Sequence, residues 1–297
     1  MYRENKPFII SPYDHPDIYP GPRPPSSFVF MNGRVHKIEE ANNTKIEQLS
    51  VHVANNSHPL GSFLTDDGEV LNIEELLETE GVSSIDNRFP VVAYGSNVCI
   101  AQLVYKFSLN QNSKQILICM KGTMVDSDIV FGPFLAPYGA LPAVIAPNRG
   151  SQTEIWLTFL DKDQLELMDR TETGYELREH LNRKLTLQTG ETFEKVYAYY
   201  YPYALKLDGT YYRFNDIPSI STIPSVWQAD MINRIKDLYG FTGTREEFIH
   251  LLRWNDSFHR TVEEFLSQYE DFFDHDDWLR ISEITPVRAM IRKFSDY

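Results

Sequence analysis

Glu172 and the bend Tyr94-Gly95-Ser96-Asn97 are the residues whose types and surroundings could do chemistry. Val91 to Tyr94 is a short apolar, partly β-branched run and reads as a buried strand. Beyond the bend, Ile100, Leu103, Val104 and Phe107 fall at the i, i+3, i+4, i+7 spacing of an amphipathic helix, with Ser96 or Asn97 as its N-cap. A strand that turns through glycine into a helix aims unpaired backbone N–H groups at one point. An anionic or carbonyl oxygen binds there without a charged side chain. An ordinary strand-to-helix connection has the same pattern, so the bend becomes informative only with a chemical partner.

That partner is sought on the helix after the strand Glu154–Leu160. Asp161 with Gln164 makes a capping box, and Leu160 with Leu165 makes a hydrophobic staple. With the start fixed, Leu165, Met168 and Glu172 fall on one face, and Gly174 terminates the helix. Asp169, Arg170 and Glu176 can stay solvated. The pattern aims a single carboxylate along an apolar face, a costly arrangement that disfavours a charged group. If the helix frays after Arg170, Glu172 points into solvent instead.

The rest of the chain must position these groups. Its 297 residues, 42% hydrophobic and 24% charged, are those of an ordinary globular protein. A net charge of −14 argues against nucleic acid or an anionic membrane as partner. No run of eighteen apolar residues exists, and Met1-Tyr-Arg-Glu-Asn-Lys-Pro lacks the apolar core of a signal peptide. Cys99 and Cys119, both in apolar settings, read as buried free thiols of a cytoplasmic protein.

Residues 1–27 are rich in proline and read as an extended arm, laid over the surface or mobile. Asn32-Gly33 and Asp67-Gly68 mark hairpins, and a short helix follows from Ile73. His15, His36, His52 and His58 lack metal-ligand spacing and read as surface or packing residues. Strands are expected at Val91–Tyr94, Gln115–Lys121, Ile129–Leu135, Leu141–Ala146, Glu154–Leu160, Lys184–Gln188 and Val196–Tyr201. With only two helices among them, this suggests a small curled or closed sheet. Helical spacing returns at Val226–Tyr239, Arg245–Trp254 and Thr261–Phe273. The acidic run Asp274-His275-Asp276-Asp277 reads as solvation of a helix end and not as a metal site.

In order and distance, Tyr94-Gly95-Ser96-Asn97 and the segment Asp161-x-x-Gln-Leu-x-x-Met-Asp-x-x-Glu172-x-Gly-Tyr175 resemble the γ-glutamylcyclotransferase family, in its branch with Asn in the loop. Tyr138-Gly-Ala-Leu-Pro-Ala-Val-Ile145 and Val196-Tyr-Ala-Tyr-Tyr200 agree further, and the likeness covers about residues 88–204. Thr173 departs from it, standing where the family often has glycine directly after the glutamate. The resemblance implies an α+β fold, a mixed β-barrel with peripheral helices. The domains expected are an N-terminal extension of arm and hairpins (1–87), a γ-glutamylcyclotransferase-like catalytic domain (88–240) and a C-terminal helical extension (241–297).

The activity implied is intramolecular aminolysis. The α-amine of a γ-glutamyl group attacks its own γ-carbonyl, releasing 5-oxoproline and a free amine. Glu172 is the expected general acid and base. Backbone N–H groups of Gly95, Ser96 and Asn97 would hold a substrate oxygen. Tyr94 would line the pocket, unless it is a core aromatic, and Tyr175 would be a wall or a hydrogen-bond donor. Forming a five-membered ring demands no metal or cofactor. The partner expected is a small γ-glutamyl amine or γ-glutamyl-capped metabolite. Two alternatives stand beside this: transfer of the γ-glutamyl group to another amine or to water, and a non-catalytic binding module on the same fold.

Overall fold

The computed structural model describes residues 10–53, 69–109, 115–181, 184–273, 275 and 277–295. Twelve strands place the site: β1 (Phe28–Met31), β2 (Arg34–Glu39), β3 (Ser50–Val53), β4 (Glu69–Asn72), β5 (Phe89–Ala93), β6 (Ile116–Phe131), β7 (Ala143–Leu160), β8 (Glu176–His180), β9 (Leu185–Leu187), β10 (Glu191–Phe193), β11 (Val196–Tyr200) and β12 (Tyr203–Leu207). The helices are α1 (Ile73–Thr79), α2 (Ile100–Ser108), α3 (Lys162–Thr171), α4 (Gln228–Leu238), α5 (Arg245–Trp254) and α6 (Asp256–Leu266).

The protein is α+β, built on a large mixed sheet. The sheet runs from strand Trp278–Arg280 through β8, β11, β5, β7, β6, β1, β2 and β3 to β4. Every neighbour on this path is antiparallel except β11 with β5, which pair in parallel at Tyr197↔Val91 and Ala198↔Val92. The expected barrel is not formed: among the described residues the path stays open, because β1 to β4 lengthen the sheet at the β6 edge instead of closing it.

The sheet's spine is the long β6–β7 hairpin, where four separate shorter strands were expected. Apolar runs mark only its ends, but ladder pairing carries the strands through the polar middle, where propensity is a weak guide. Between the pairs Val125↔Gln152 and Ser127↔Pro147 the register shifts, so that Asp126, with φ of 59°, stands opposite residues 148–151 of β7. Gly122 is needed where β9 crosses β6, since a Cβ there would lie 2.7 Å from the Thr186 carbonyl oxygen.

The hairpin at Asn32-Gly33 forms as expected, with both residues at positive φ. The hairpin at Asp67-Gly68 lies outside the described residues, as does His58. Helix α5 has the bounds its spacing predicts, whereas α6 runs from Asp256 to Leu266 in place of Thr261–Phe273. Asn255 moves its start by capping the Phe258 N–H. No helix among the described residues is long and apolar enough to cross a membrane.

The proline-rich arm is packed where it is described. Pro16 and Tyr19 are buried. Gly21, at φ of 92°, passes so close to Cys99 that a Cβ would lie 2.6 Å from its Sγ. Of the two placements expected, residues 10–27 take the first: they are laid over the fold and cover one end of α2.

Candidate functional site

Helix α3 starts as its sequence dictates. The Asp161 side chain accepts from the Gln164 N–H at 2.9 Å, and Gln164 Oε1 accepts from the Asp161 N–H at 3.1 Å. Buried Leu165, Leu167 and Met168 hold it to the core, each contributing about 2 kcal/mol by area. Arg88, fully buried, anchors the same end by donating to Gln164 Oε1 and to the carbonyls of Ile116 and Phe159. The helix ends at Thr171, so Glu172 is its C-cap, with φ of −98° and ψ of 51°.

Glu172 nevertheless turns inward. Its carboxylate meets Lys106 Nζ at 2.5 Å, the two side chains being 16% and 8% exposed. The same Nζ donates to Asn97 Oδ1 at 2.7 Å. The expectation of a single unpaired carboxylate is corrected: Lys106 neutralises it and ties it to the glycine bend. An ammonium at this distance makes burial of both charges tolerable, and it makes loss of either one costly.

The bend departs from its expected form. Ser96–Val98 is a single 3-10 turn, and Cys99, not Ser96 or Asn97, is the N-cap of α2, with no side-chain cap bond. The point expected to receive a substrate oxygen is taken by the Tyr19 hydroxyl of the arm. Tyr19 Oη accepts from the Ala143 N–H at 3.1 Å, and the Ser96 N–H acts on the same oxygen. A Cβ on Gly95 would lie 2.6 Å from Tyr19 Oη, so glycine is required by this close approach. Burial keeps the Tyr19 phenol protonated, pushing its pKa well above the usual range against the pull of the Ala143 bond.

A cavity of about 910 Å³ opens above these groups. Tyr19, Ser96, Lys106, Glu172 and Tyr175 line it, and α5 and α6 supply another wall with Leu252, Arg253, His259 and Arg260. Of the expected site residues, Glu172, Ser96 and Tyr175 therefore share one cavity, and Asn97 joins them through Lys106. Tyr94 does not line it. It is buried, with its hydroxyl donating to the Tyr199 carbonyl, which is the core-aromatic alternative. Tyr175 is a wall whose hydroxyl donates to the Ala143 carbonyl at 2.7 Å. Burial raises the Tyr94, Tyr138 and Tyr175 phenols as well, so all three stay neutral.

Sequence reasoning missed Lys106 and Tyr19. Lys106 had one available signal: Gln102 and Lys106, at i and i+4, form a polar stripe beside the apolar one, and both are buried while Val104 is exposed. Tyr19 had none, because nothing periodic places an arm.

The run Asp274–Asp277 is also corrected where it is described. His275 is buried and bonded to Ser127 Oγ at 2.9 Å, and Asp277 holds Lys184 at 2.7 Å. Asp274 and Asp276 lie outside the described residues. Among those described, no group of three His, Cys, Asp or Glu side chains could hold a metal ion.

Set against protein-family models, curated proteins and solved structures, the chain matches none.

Proposed function

We propose that the protein is a γ-glutamylcyclotransferase-like enzyme that releases 5-oxoproline and a free amine from a γ-glutamyl amine or γ-glutamyl-capped metabolite. One observation carries this reading: a carboxylate, an ammonium and the glycine bend meet through Glu172, Lys106 and Asn97 at a cavity large enough for a small molecule. On this reading the open mixed sheet is an extended version of the family's compact domain, carried by residues 88–240. Two free, buried cysteines suit a reducing compartment such as the cytoplasm.

The chemistry follows from the groups present. Glu172 takes a proton from the substrate's α-ammonium, and the freed amine attacks the γ-carbonyl, forming the ring C–N bond. The Tyr19 O–H, its oxygen held by backbone N–H groups, donates to the oxygen on which charge develops. As the amide C–N bond breaks, Glu172 gives the proton it holds to the departing nitrogen. It then takes the second proton of the ring nitrogen and passes it to the released amine, which leaves as its ammonium while Glu172 returns to the carboxylate. Lys106 balances the Glu172 charge while the site is empty and faces the substrate's α-carboxylate when it is full.

A second reading has a specific observation behind it. A half-buried carboxylate argues for catalysis only when it is unpaired, and Lys106 pairs it. A non-catalytic module that binds a small zwitterion would use the same pair. The test is incubation with a panel of γ-glutamyl amines, with mass spectrometry of the products. 5-Oxoproline supports cyclotransfer, glutamate or a new amide supports transfer to water or to another amine, and tight binding without turnover supports the module.

A further inference from the structure

We infer that the outer part of the cavity binds a flat aromatic ring, so that the amine released from the substrate is an aromatic-bearing one. The inference rests on the cyclotransferase reading for the words "released amine", but the ring-binding surface stands on its own observations.

At about 910 Å³ the cavity lies in the range that encloses whole drug-sized ligands, far more than a γ-glutamyl head fills. Aromatic rings line part of the remainder. Tyr13 from the arm stacks on Tyr105 of α2, ring centroids 5.0 Å apart and planes 28° apart, and it also meets Tyr138 at 5.5 Å. All three line the cavity. They come from three segments distant in sequence, so no local propensity explains the row. Tyr13 and Tyr105 remain 39% and 41% exposed, leaving large ring surface unburied beside the opening. Phe134 continues the aromatic lining, with Tyr201 at 4.6 Å and Tyr175 at 5.7 Å.

The surface is also held in place before anything binds. Leu252 of α5 packs so tightly on the loop bearing Tyr138 that a Cβ on Gly139 would lie 3.1 Å from its own Cβ. Arg253 donates to the Asp14 carbonyl at 2.8 Å, tying α5 to the arm next to Tyr13. Rings presented at fixed spacing favour another ring, offset or edge-on, over a saturated group of equal size. Charge does not select the guest, because Lys106, Arg253 and Arg260 share the lining with Glu172, Asp256 and Glu263.

Two probes separate ring recognition from simple apolar filling: γ-L-glutamyl-benzylamide and γ-L-glutamyl-cyclohexylmethylamide. Both lose a primary amine through a methylene, and they differ in the flat or puckered ring. The full chain is expected to favour the benzyl amide about three- to tenfold in kcat/KM, with the difference in KM. Tyr105→Ala should remove that preference and Tyr105→Phe should keep it. Equal KM for the two amides, or a preference untouched in Tyr105→Ala, overturns the inference. If neither amide yields 5-oxoproline, the cyclotransferase reading fails separately. Calorimetric binding of the same two amides then decides: a Tyr105-dependent benzyl preference upholds the ring site, and equal or absent binding overturns it.

Discussion

The Lys106–Glu172 pair and the Ser127–His275–Asp277 group contain residues of the kinds that perform acid–base and nucleophilic chemistry, yet their surroundings are opposite. In the second group Ser127 Oγ lies 2.9 Å from His275 Nε2, while His275 Nδ1 is 4.0 Å from Asp277 Oδ2, which Lys184 holds at 2.7 Å. Ser127 has no exposed surface, and none of the three residues lines the cavity above Glu172. Its carbonyl accepts from the Ser151 and Thr153 hydroxyls, fixing the register shift between β6 and β7. The first group is looser in composition but opens on space a substrate can enter. Both clusters hold residue types capable of chemistry; access separates them.

The largest predicted effect tests that separation directly. With a γ-glutamyl substrate found by the panel, Glu172→Gln should lower kcat about a hundred- to ten-thousandfold, the range for loss of a positioned proton carrier. Ser127→Ala should change kcat less than twofold. A Glu172→Gln protein that keeps full turnover ends the proposed mechanism, and a Ser127→Ala protein that loses it reverses the comparison.

The ion pair itself comes next. Lys106→Met leaves the Glu172 carboxylate without its counter-charge at a mostly covered position, and should cost about 2 to 3 kcal/mol in urea unfolding. Adding Glu172→Gln to Lys106→Met should recover at least half of that, because the charge is then gone too. Additive losses in the double variant would show that the pair contributes no coupling.

What the chain reveals without its structure follows the range of the forces involved. Asp161 with Gln164, Asn32-Gly33 and the face of Leu165 and Met168 are set by neighbours within four residues, and each forms as read. Lys106 was hidden because lysine on a helix ordinarily reads as solvated. Its partners, Asn97 and Glu172, stand 9 and 66 positions away. Tyr19 was hidden because its position is fixed by contacts of the arm with Cys99, Ala143 and Gly95, which no pattern within residues 1–27 encodes. The unbroken β6 and β7 depend on each other's pairing for the same reason.

Gly95 gives a smaller and sharper test of that long-range placement. Gly95→Ala forces the new methyl against Tyr19 Oη and should cost about 2 kcal/mol, as overpacking does. In a Tyr19→Phe background the hydroxyl is gone, and the next contacts, the ring carbon Cζ and Ala143 Cβ, lie at an ordinary 3.7 Å. The same substitution should then cost under about 1 kcal/mol by this overpacking argument. An equal cost in both backgrounds would mean that Tyr19 does not sit over the bend in solution.

The smallest effect per step concerns acid, and it falls on two histidines away from the cavity, His180 beside Asp277 and His36 on β2. Burial pushes the His180 imidazole down to about 4, against the pull of Asp277 and with help from His275 and Lys184. Burial likewise pushes His36 down to about 4, with Arg34 adding to it and a backbone bond from His52 opposing it. Each ring is neutral in the folded chain and protonates near 6.5 when unfolded, so the unfolded state binds more protons between these values. Their contribution is complete above about pH 6.5 and is lost as the pH falls toward 4, at no more than about 1.4 kcal/mol per pH unit per histidine. Urea midpoints measured between pH 7 and pH 5 should fall accordingly, and His180→Phe, beside Trp278 at 4.9 Å, should flatten the slope by up to half. A slope that His180→Phe leaves unchanged would assign the acid sensitivity elsewhere than His180.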